Sequence, residues 1–487
     1  MNTSYPEHTI HPRYASLILF ISALFTLLML GAIYFFSKDN LLLGMAVLFA
    51  PVPFICIYYL FKFPKATLIV AFYCNYFALG LSRYLPAPMG LTVDGVLFLT
   101  FIALIFSQFN QKVPWHMAAR DYTFIVVAWF IMIFMQLFNP EAVSREAWFY
   151  AMRGYALYIV FTVPLVYILF NKPQDLEFYI KMLAWFTIAA VLKGVGQKFL
   201  GVDPGEKKWL MLPGNKSTHL LFGQLRVFSF FSDAGTYGSS MGYAGAVYTI
   251  IAIHTKVLKS KLFYLTVGMM AFYAMLISGT RSSIAVPLSA FTVYAVLTKN
   301  FKVMGVGAFF LFSIFFFLKY TTIGQGNYDI RRMRTAFADD NASMNTRLEN
   351  RKIFAEYLKT RPFGGGVGSA GNWGMRFSPG TLLADTATDG WYVQIWAETG
   401  IVGLVSYCLM MAYMLFKSCI IIFFRLKKPE FLYPAIAFTS GIFGLMVSSY
   451  TASSMGQMPN TVIAFTTLTL ISLMPEWEEQ EKQKKIQ

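Results

Sequence analysis

Apolar runs of about twenty residues recur from one end of the chain to the other, and they limit what it can fold into. A bilayer's hydrocarbon core is about 30 Å thick and a helix rises 1.5 Å per residue, so about 20 apolar residues make one crossing. On that template, runs fall near 14–37, 41–61, 66–82, 91–108, 121–138, 154–171, 177–199, 235–254, 262–280, 282–298, 302–320, 396–417, 431–452 and 457–474. In lipid each backbone N–H and C=O must be satisfied within the protein, and continuous apolar runs do this as helices. The expected fold is all-α: a polytopic transmembrane helical bundle of about 12–14 spans with a large, partly helical extracytoplasmic loop. The segments 66–82 and 282–298, short and tinged with polar residues, lie closest to the limit for a span.

Composition agrees. Of 487 residues, 57% are hydrophobic and 13% charged, about half the charge of an ordinary soluble domain. A net charge of +16 suggests nucleic acid at first, but the cations are scattered between apolar runs. Anionic headgroups of a bilayer account for them, so no nucleic-acid partner is expected. Cys56, Cys74, Cys408 and Cys419 fall in or beside apolar runs without CxxC spacing. This argues against a disulfide framework and against zinc, and no cofactor is expected. The run from about Tyr14 to Phe36 exceeds a signal-peptide core and lacks a small-residue cleavage site, so it reads as a retained span.

Short connectors set the orientation. Lysines mark alternate connectors, at Lys62 and Lys65, Lys112, Lys172, Lys256 to Lys261, Lys299 and Lys302, and Lys427 and Lys428. Both termini then face the cytoplasm, and the polar stretches 200–234 and 321–395 face outward. The chain divides into N-terminal spans (1–200), a first outer loop (201–234), central spans (235–320), a large outer loop with the candidate active site (321–395), and C-terminal spans with a cytoplasmic tail (396–487).

Arginine is distributed differently from lysine. Seven of the fifteen arginines fall between Arg331 and Arg376, on the outward side. The positive-inside bias does not explain them. Arginine is favoured where carboxylate or phosphate must be gripped bidentately; a solvated basic loop beside anionic headgroups is the plain alternative.

Within 321–395, Thr346 followed by Glu349 is a capping-box signature that predicts a helix start. Arg347 and Arg351 then share a face in its first two turns, where they repel each other and oppose the helix dipole. A bound anion would relieve both penalties; screening by Glu349 and water is the alternative. Arg361-Pro362 ends that helix and leads into a run with Gly364, Gly365, Gly366 and Gly368, where backbone can approach a ligand closely. The run lacks the Lys-Ser/Thr of a P-loop. Asp389, at the water boundary before the next span, is placed for proton transfer, although Asp389 or Thr388 also suits a helix N-cap. Glu398 lies deeper and must be shallow or paired, since a bilayer-centre charge costs at least ~2.5 kcal/mol. In the first outer loop Arg226 and Asp233 bracket an apolar stretch, with His219 upstream as an incidental loop histidine. Arg281, in SGTRSS between two spans, is one more outward arginine, for which interfacial snorkelling is the simpler account.

Taken in order, RVFSFFSDAGTYG, SGTRSS, the Arg347/Arg351 pair before RPFGGGVG, and DGWYVQIWAETGIVGL resemble the O-antigen ligase and O-antigen polymerase family of bacterial surface-glycan enzymes. The likeness covers roughly 219–404. It implies a membrane glycosyltransferase, metal-independent, at the outer face of the bacterial cytoplasmic membrane. The donor would be an undecaprenyl-diphosphate-linked glycan and the acceptor a glycan or glycolipid. Arg226, Arg281 and either Arg347 or Arg351 would grip the diphosphate, and Asp389 would serve as base, with Asp385 a second candidate. Asp389 stands where ligases of the family have histidine, and Gly390 where asparagine is usual. The departure weakens a lipid A-core ligase and leaves a polymerase, or a ligase for another glycan, more open.

The rival reading is a transporter or flippase of lipid-linked oligosaccharides. Transporters place ionisable residues at the midplane and often repeat their halves, whereas these spans are nearly free of mid-run charge and show no clear repeat. A purely structural membrane subunit would leave the outward arginines unexplained.

Overall fold

The computed structural model describes residues 49–85, 89–110, 112–212, 219–221, 223–299, 319–326, 328–334 and 342–486, with scattered positions between 26 and 47 and between 305 and 317. Residues 1–64 form one unit, whose helix α1 (Pro51–Lys62) opens on a proline. Proline suits a first helical position because its missing N–H would have no partner there.

Residues 65–487 form the second unit. Its first half carries α2 (Pro64–Leu81), α3 (Leu91–Ser107), α4 (Asp121–Met135), α5 (Arg145–Met152), α6 (Tyr158–Leu169) and α7 (Pro173–Phe199). A short helix α8 (Pro204–Leu210) and a hairpin of two-residue strands, β1 (Leu220–Leu221) and β2 (Gln224–Leu225), fill the first outer loop. Then come α9 (Ala234–His254), α10 (Leu258–Ile277) and α11 (Ala285–Leu297). The second polar stretch holds α12 (Tyr328–Arg334), α13 (Ala342–Leu358), α14 (Gly371–Phe377) and α15 (Leu382–Asp385). The chain closes with α16 (Trp391–Ile420), α17 (Pro429–Ser448) and α18 (Asn460–Ile486).

The protein is thus an all-α polytopic membrane protein. Among the described residues six helices are long and apolar enough to cross a bilayer: Asp121–Phe138, Arg145–Leu169, Pro173–Phe199, Leu258–Ile277, Trp391–Arg425 and Pro429–Ser448. Leu91–Ser107 and Arg281–Leu297 are apolar but shorter. The expected spans 235–254 and 457–474 fall in α9 and α18. Those at 14–37 and 302–320, with Lys302, lie largely outside the described residues.

Helix α9 is buried on nearly every face. Gly238 and Gly242, one turn apart, let α9 approach the following helices closely, as small residues do in membranes. A Cβ on Gly238 would lie 2.4 Å from Ser278 Oγ, and one on Gly242 3.1 Å from Val286 Cβ. That contact fixes the turn Ser278–Arg281, which joins α10 to α11.

The connectors rich in lysine gather at one end of this unit and are tied by ion pairs. Lys417 meets Asp121 at 2.5 Å, Lys428 meets Glu481 at 2.6 Å and Lys482 meets Glu478 at 2.9 Å. Arg120 pairs with Glu476 and Lys65 with Asp175. The loops rich in arginine gather at the other.

Candidate functional site

The turn Ser278–Arg281 is where the arginines meet. Arg226, just beyond β2, donates from Nη2 to Thr280 Oγ1 at 3.0 Å, and that hydroxyl donates to the Ala234 carbonyl at 2.9 Å. Arg332, on α12, donates from Nε to the Gly279 carbonyl. Gly279 has φ +60°, and a Cβ there would lie 3.2 Å from Arg332 Cδ, so a glycine holds the place. Arg281 follows in the same turn, outside the spans. Burial lowers the pKa of its guanidinium, and the charges of Arg332 and Arg347 lower it further. Arg281 therefore lies in the fields of arginines from two other segments, and Arg226 reaches the same turn at Thr280.

Asp389 adjoins this cluster, with Oδ1 4.0 Å from Arg347 Nε and its side chain 36% exposed. Asn350 Nδ2 donates to the Ala387 carbonyl at 3.2 Å and reaches Asp389 Oδ2 at 3.5 Å. Asp389 holds φ +44°, a left-handed conformation that Asp tolerates better than most residues and that concentrates at functional sites. Arg351, one turn beyond Arg347, donates to the Tyr450 hydroxyl, reaches the Tyr450 carbonyl at 3.2 Å and stacks 4.2 Å over its ring. A Cβ on Gly390 would lie 2.5 Å from that carbonyl oxygen. The asparagine usual in the family has no room here.

Several sequence expectations change. Helix α13 begins at Ala342, not Thr346; no glycine or proline in ASMN interrupts it. Arg347 and Arg351 therefore lie one to three turns inside the described helix rather than at its first turn. Neither Thr388 nor Asp389 caps α16: Gly390 holds the N-cap position without a side-chain bond.

The glycine run approaches the chain rather than open space. Helix α16 breaks at Gly400 (φ +67°), and residues 362–366 fill the gap. Val402 N donates to the Pro362 carbonyl at 3.2 Å, Gly365 N to Ala397 at 3.0 Å and Gly366 N to Glu398 at 2.9 Å. These bonds satisfy backbone groups that the break frees. A Cβ on Gly364 would lie 2.4 Å from Gly400 N, and one on Gly366 2.5 Å from Ala142 Cβ. Glu398, fully buried, is paired as expected: its carboxylate accepts from Gly368 N at 2.9 Å and Ala370 N at 3.3 Å. It anchors the glycine turn.

Asp233 caps α9, accepting from Thr236 N at 2.8 Å. His219 is buried edge-on between Trp209 and Phe228, a packing role. Asp385 accepts from Gly380 N at 3.3 Å within its own turn.

Sequence reasoning passed over Arg332, Asn350 and Tyr450, whose contacts are long-range and leave no local pattern. It also passed over the cluster that holds the first outer loop. Buried Arg83 lies 3.6 Å from Glu206, which accepts from Gln197 at 2.7 Å. Asp203 accepts from Lys193 at 2.7 Å and from Tyr84. Burial works to raise the Asp203 pKa, but the Lys193 and Tyr84 hydrogen bonds outweigh it and bring it down to about 2.

Fold and site define an all-α membrane protein whose ionisable chemistry is collected at one end of the bundle. Residues 265–408 match the family model described as O-antigen ligase. A relative called O-antigen polymerase, from Salmonella muenchen, is 25% identical over 357 residues, covering 69% of this chain and 84% of that protein. Both likenesses support the O-antigen ligase and polymerase family, and with it a membrane enzyme of glycan processing. The matched region contains Arg281, Arg332, Arg347, Arg351 and Asp389, while Arg226 lies upstream of it.

Proposed function

We propose that the protein polymerises or transfers a glycan carried on polyprenyl diphosphate at the outer face of the bacterial inner membrane. The convergence of Arg226, Arg281, Arg332 and Arg347 on one turn carries the reading. Guanidiniums brought within one another's fields cost energy, and a diphosphate recovers it. An acceptor hydroxyl attacks the donor's anomeric carbon, the C–O bond to the diphosphate breaks, and the anomeric configuration inverts. The acceptor proton passes to a base, the role we give Asp389. The arginines stabilise the charge that grows on the leaving diphosphate, an effect worth about 10²–10³ in rate per donor at comparable sites. Arg351, bound to Tyr450, holds the turn after α17 against Gly390, the neighbour of Asp389.

Two points favour polymerisation over ligation. The segment 321–395 contains no histidine, and the relative above bears the name of a polymerase. The test is deletion of the gene, inspection of surface-glycan ladders, and complementation with Arg226→Ala, Arg347→Ala and Asp389→Ala. Collapse to single-repeat products, not restored by these variants, supports a polymerase. Full chains trapped on the lipid carrier mark a ligase instead, and a normal ladder in the deletion strain refutes the reading.

A further inference from the structure

Three aromatic rings near the arginine site lie near-parallel. Core pairs such as Phe72 with Phe170 and Phe77 with Phe230 meet edge to face, at 83° and 80°, although the buried Tyr248 and Tyr264 also stack, at 10°. Tyr150 on α5 lies near-parallel to two rings of α14: Trp373 at 5.0 Å and 17°, and Phe377 at 5.5 Å and 15°. Trp373 and Phe377 are 6.2 Å apart at 25°. The three centroids therefore form a triangle rather than a column, and the rings overlap like tiles. All three are half-buried, so each keeps part of its surface open. The exposed Arg376 holds its guanidinium 5.1 Å from the Phe377 ring and 5.7 Å from Tyr150.

Such a surface suits a sugar. A pyranose presents a face of C–H bonds, slightly positive, which complements the negative face of an aromatic ring. Its rim of hydroxyls takes donors, and a guanidinium offers five N–H groups in a planar fork. Rings anchoring a protein at the lipid interface need an apolar body and a wet tip, but nothing in that role requires three of them to lie near-parallel beside Arg376, with Arg153 a further 5.3 Å from the Tyr150 ring. Placement adds the rest. A Cβ on Gly371, which opens α14 two residues before Trp373, would lie 3.9 Å from Thr388 Oγ1, the neighbour of Asp389. A glycan reacting beside Asp389 is thus within a few sugar units of the rings.

We propose that Tyr150, Trp373, Phe377 and Arg376 form a subsite for pyranose residues of the glycan whose end reacts at Asp389. It rests on the reading that Asp389 and the arginines process a glycan, but it is tested without turnover. The probe is an oligosaccharide released from the host's surface polysaccharide by mild acid, free of lipid and diphosphate. It is titrated against the full-length protein in nanodiscs, with saturation-transfer NMR reporting sugar protons against aromatic ones. Saturable binding is expected. Trp373→Ala should weaken it about tenfold, equivalent to about 1.4 kcal/mol. Trp373→Tyr should keep most of it, and Arg376→Gln, a surface change that leaves the rings in place, should weaken it less than Trp373→Ala. Arg226→Ala should bind the free oligosaccharide as wild type does. Absence of saturable binding to the wild type overturns the subsite. So does wild-type affinity in a Trp373→Ala variant, or in Arg376→Gln should Trp373→Ala not fold. Binding lost in Trp373→Ala, together with full turnover in Arg226→Ala and Arg347→Ala, would instead leave the subsite standing and remove the reading of the arginines.

Discussion

The two ends of the helical unit use positive charge in opposite ways. Where the lysines gather, cations meet carboxylates of the chain closely, as in Lys417 with Asp121 at 2.5 Å and Lys428 with Glu481 at 2.6 Å. Where the arginines gather, Arg361 pairs with Glu141 at 2.8 Å, but Arg347 stands 4.0 Å from Asp389 and Arg281 feels two further guanidiniums. The first arrangement spends its charge inside the protein and ties connectors together. The second sets guanidiniums in one another's fields at Arg281, which favours an anion beside them. Pairing with a phosphate gains charge-assisted hydrogen bonds of roughly 1.5–3 kcal/mol each, more than an exposed ion pair supplies.

Substitutions can break or sharpen this contrast. The largest effect should come from the scaffold of the arginine end. Gly400→Ala places a Cβ 2.0 Å from the Pro362 carbonyl oxygen at φ +67°, a clash of backbone with backbone. A loss above about 4 kcal/mol is expected, read as collapse of the folded yield in detergent. Next is Arg347→Ala, which should lower kcat/KM for a lipid-linked donor about 10²-fold. Arg347→Lys should recover little, because an ammonium lacks the bidentate fork.

Arg281→Gln should separate activity from stability. It removes one guanidinium from the fields of Arg332 and Arg347, so turnover should fall while thermal stability changes by no more than about 1 kcal/mol. The mirror experiment is Lys417→Ala at the opposite end: a cost of about 1 kcal/mol or less, with turnover unchanged. If Lys417→Ala silenced the enzyme and Arg281→Gln did not, the contrast between the ends would be wrong.

The smallest effect concerns pH. Asp203, at about 2 in the folded protein, lies below the ordinary carboxylate value of about 3.9. A depressed folded value means that its contribution is fully present above pH ~4 and is lost as the pH falls through ~2. Melting temperatures of wild type and Asp203→Asn should differ by a constant amount above pH ~4 and converge below it. Convergence already at neutral pH would show that Asp203 does not hold the outer loop.

Much of the fold was legible because a bilayer leaves an apolar run one outcome. Apolar segments as different as 121–138 and 431–452 are both helical. The candidate site was legible in composition more than in geometry. Arginine outside the lysine connectors marked Arg226, Arg281, Arg347 and Arg351, because a side chain suited to phosphate departs from the topological rule. Arg332 counts among those outward arginines, but its contact with Gly279, 53 positions away, is not legible in the sequence. The glycine run reads in the sequence as backbone open to a ligand for a related reason. A sequence shows that backbone comes close to something, and only the break at Gly400 shows that the partner is α16. The capping box at Thr346 failed because four helix-compatible residues precede it, and a helix continues until something stops it.

The central claim is that the arginine end is built for a diphosphate. Thermal melting of the purified protein with farnesyl diphosphate, beside farnesol at equal concentration, tests it most directly. A ligand at 100 times its dissociation constant stabilises by about 2.7 kcal/mol. The melting temperature should rise with the diphosphate and little with the alcohol, and the rise should be lost in Arg347→Ala and Arg281→Gln. Equal stabilisation by the alcohol, or an undiminished rise in those variants, would contradict it.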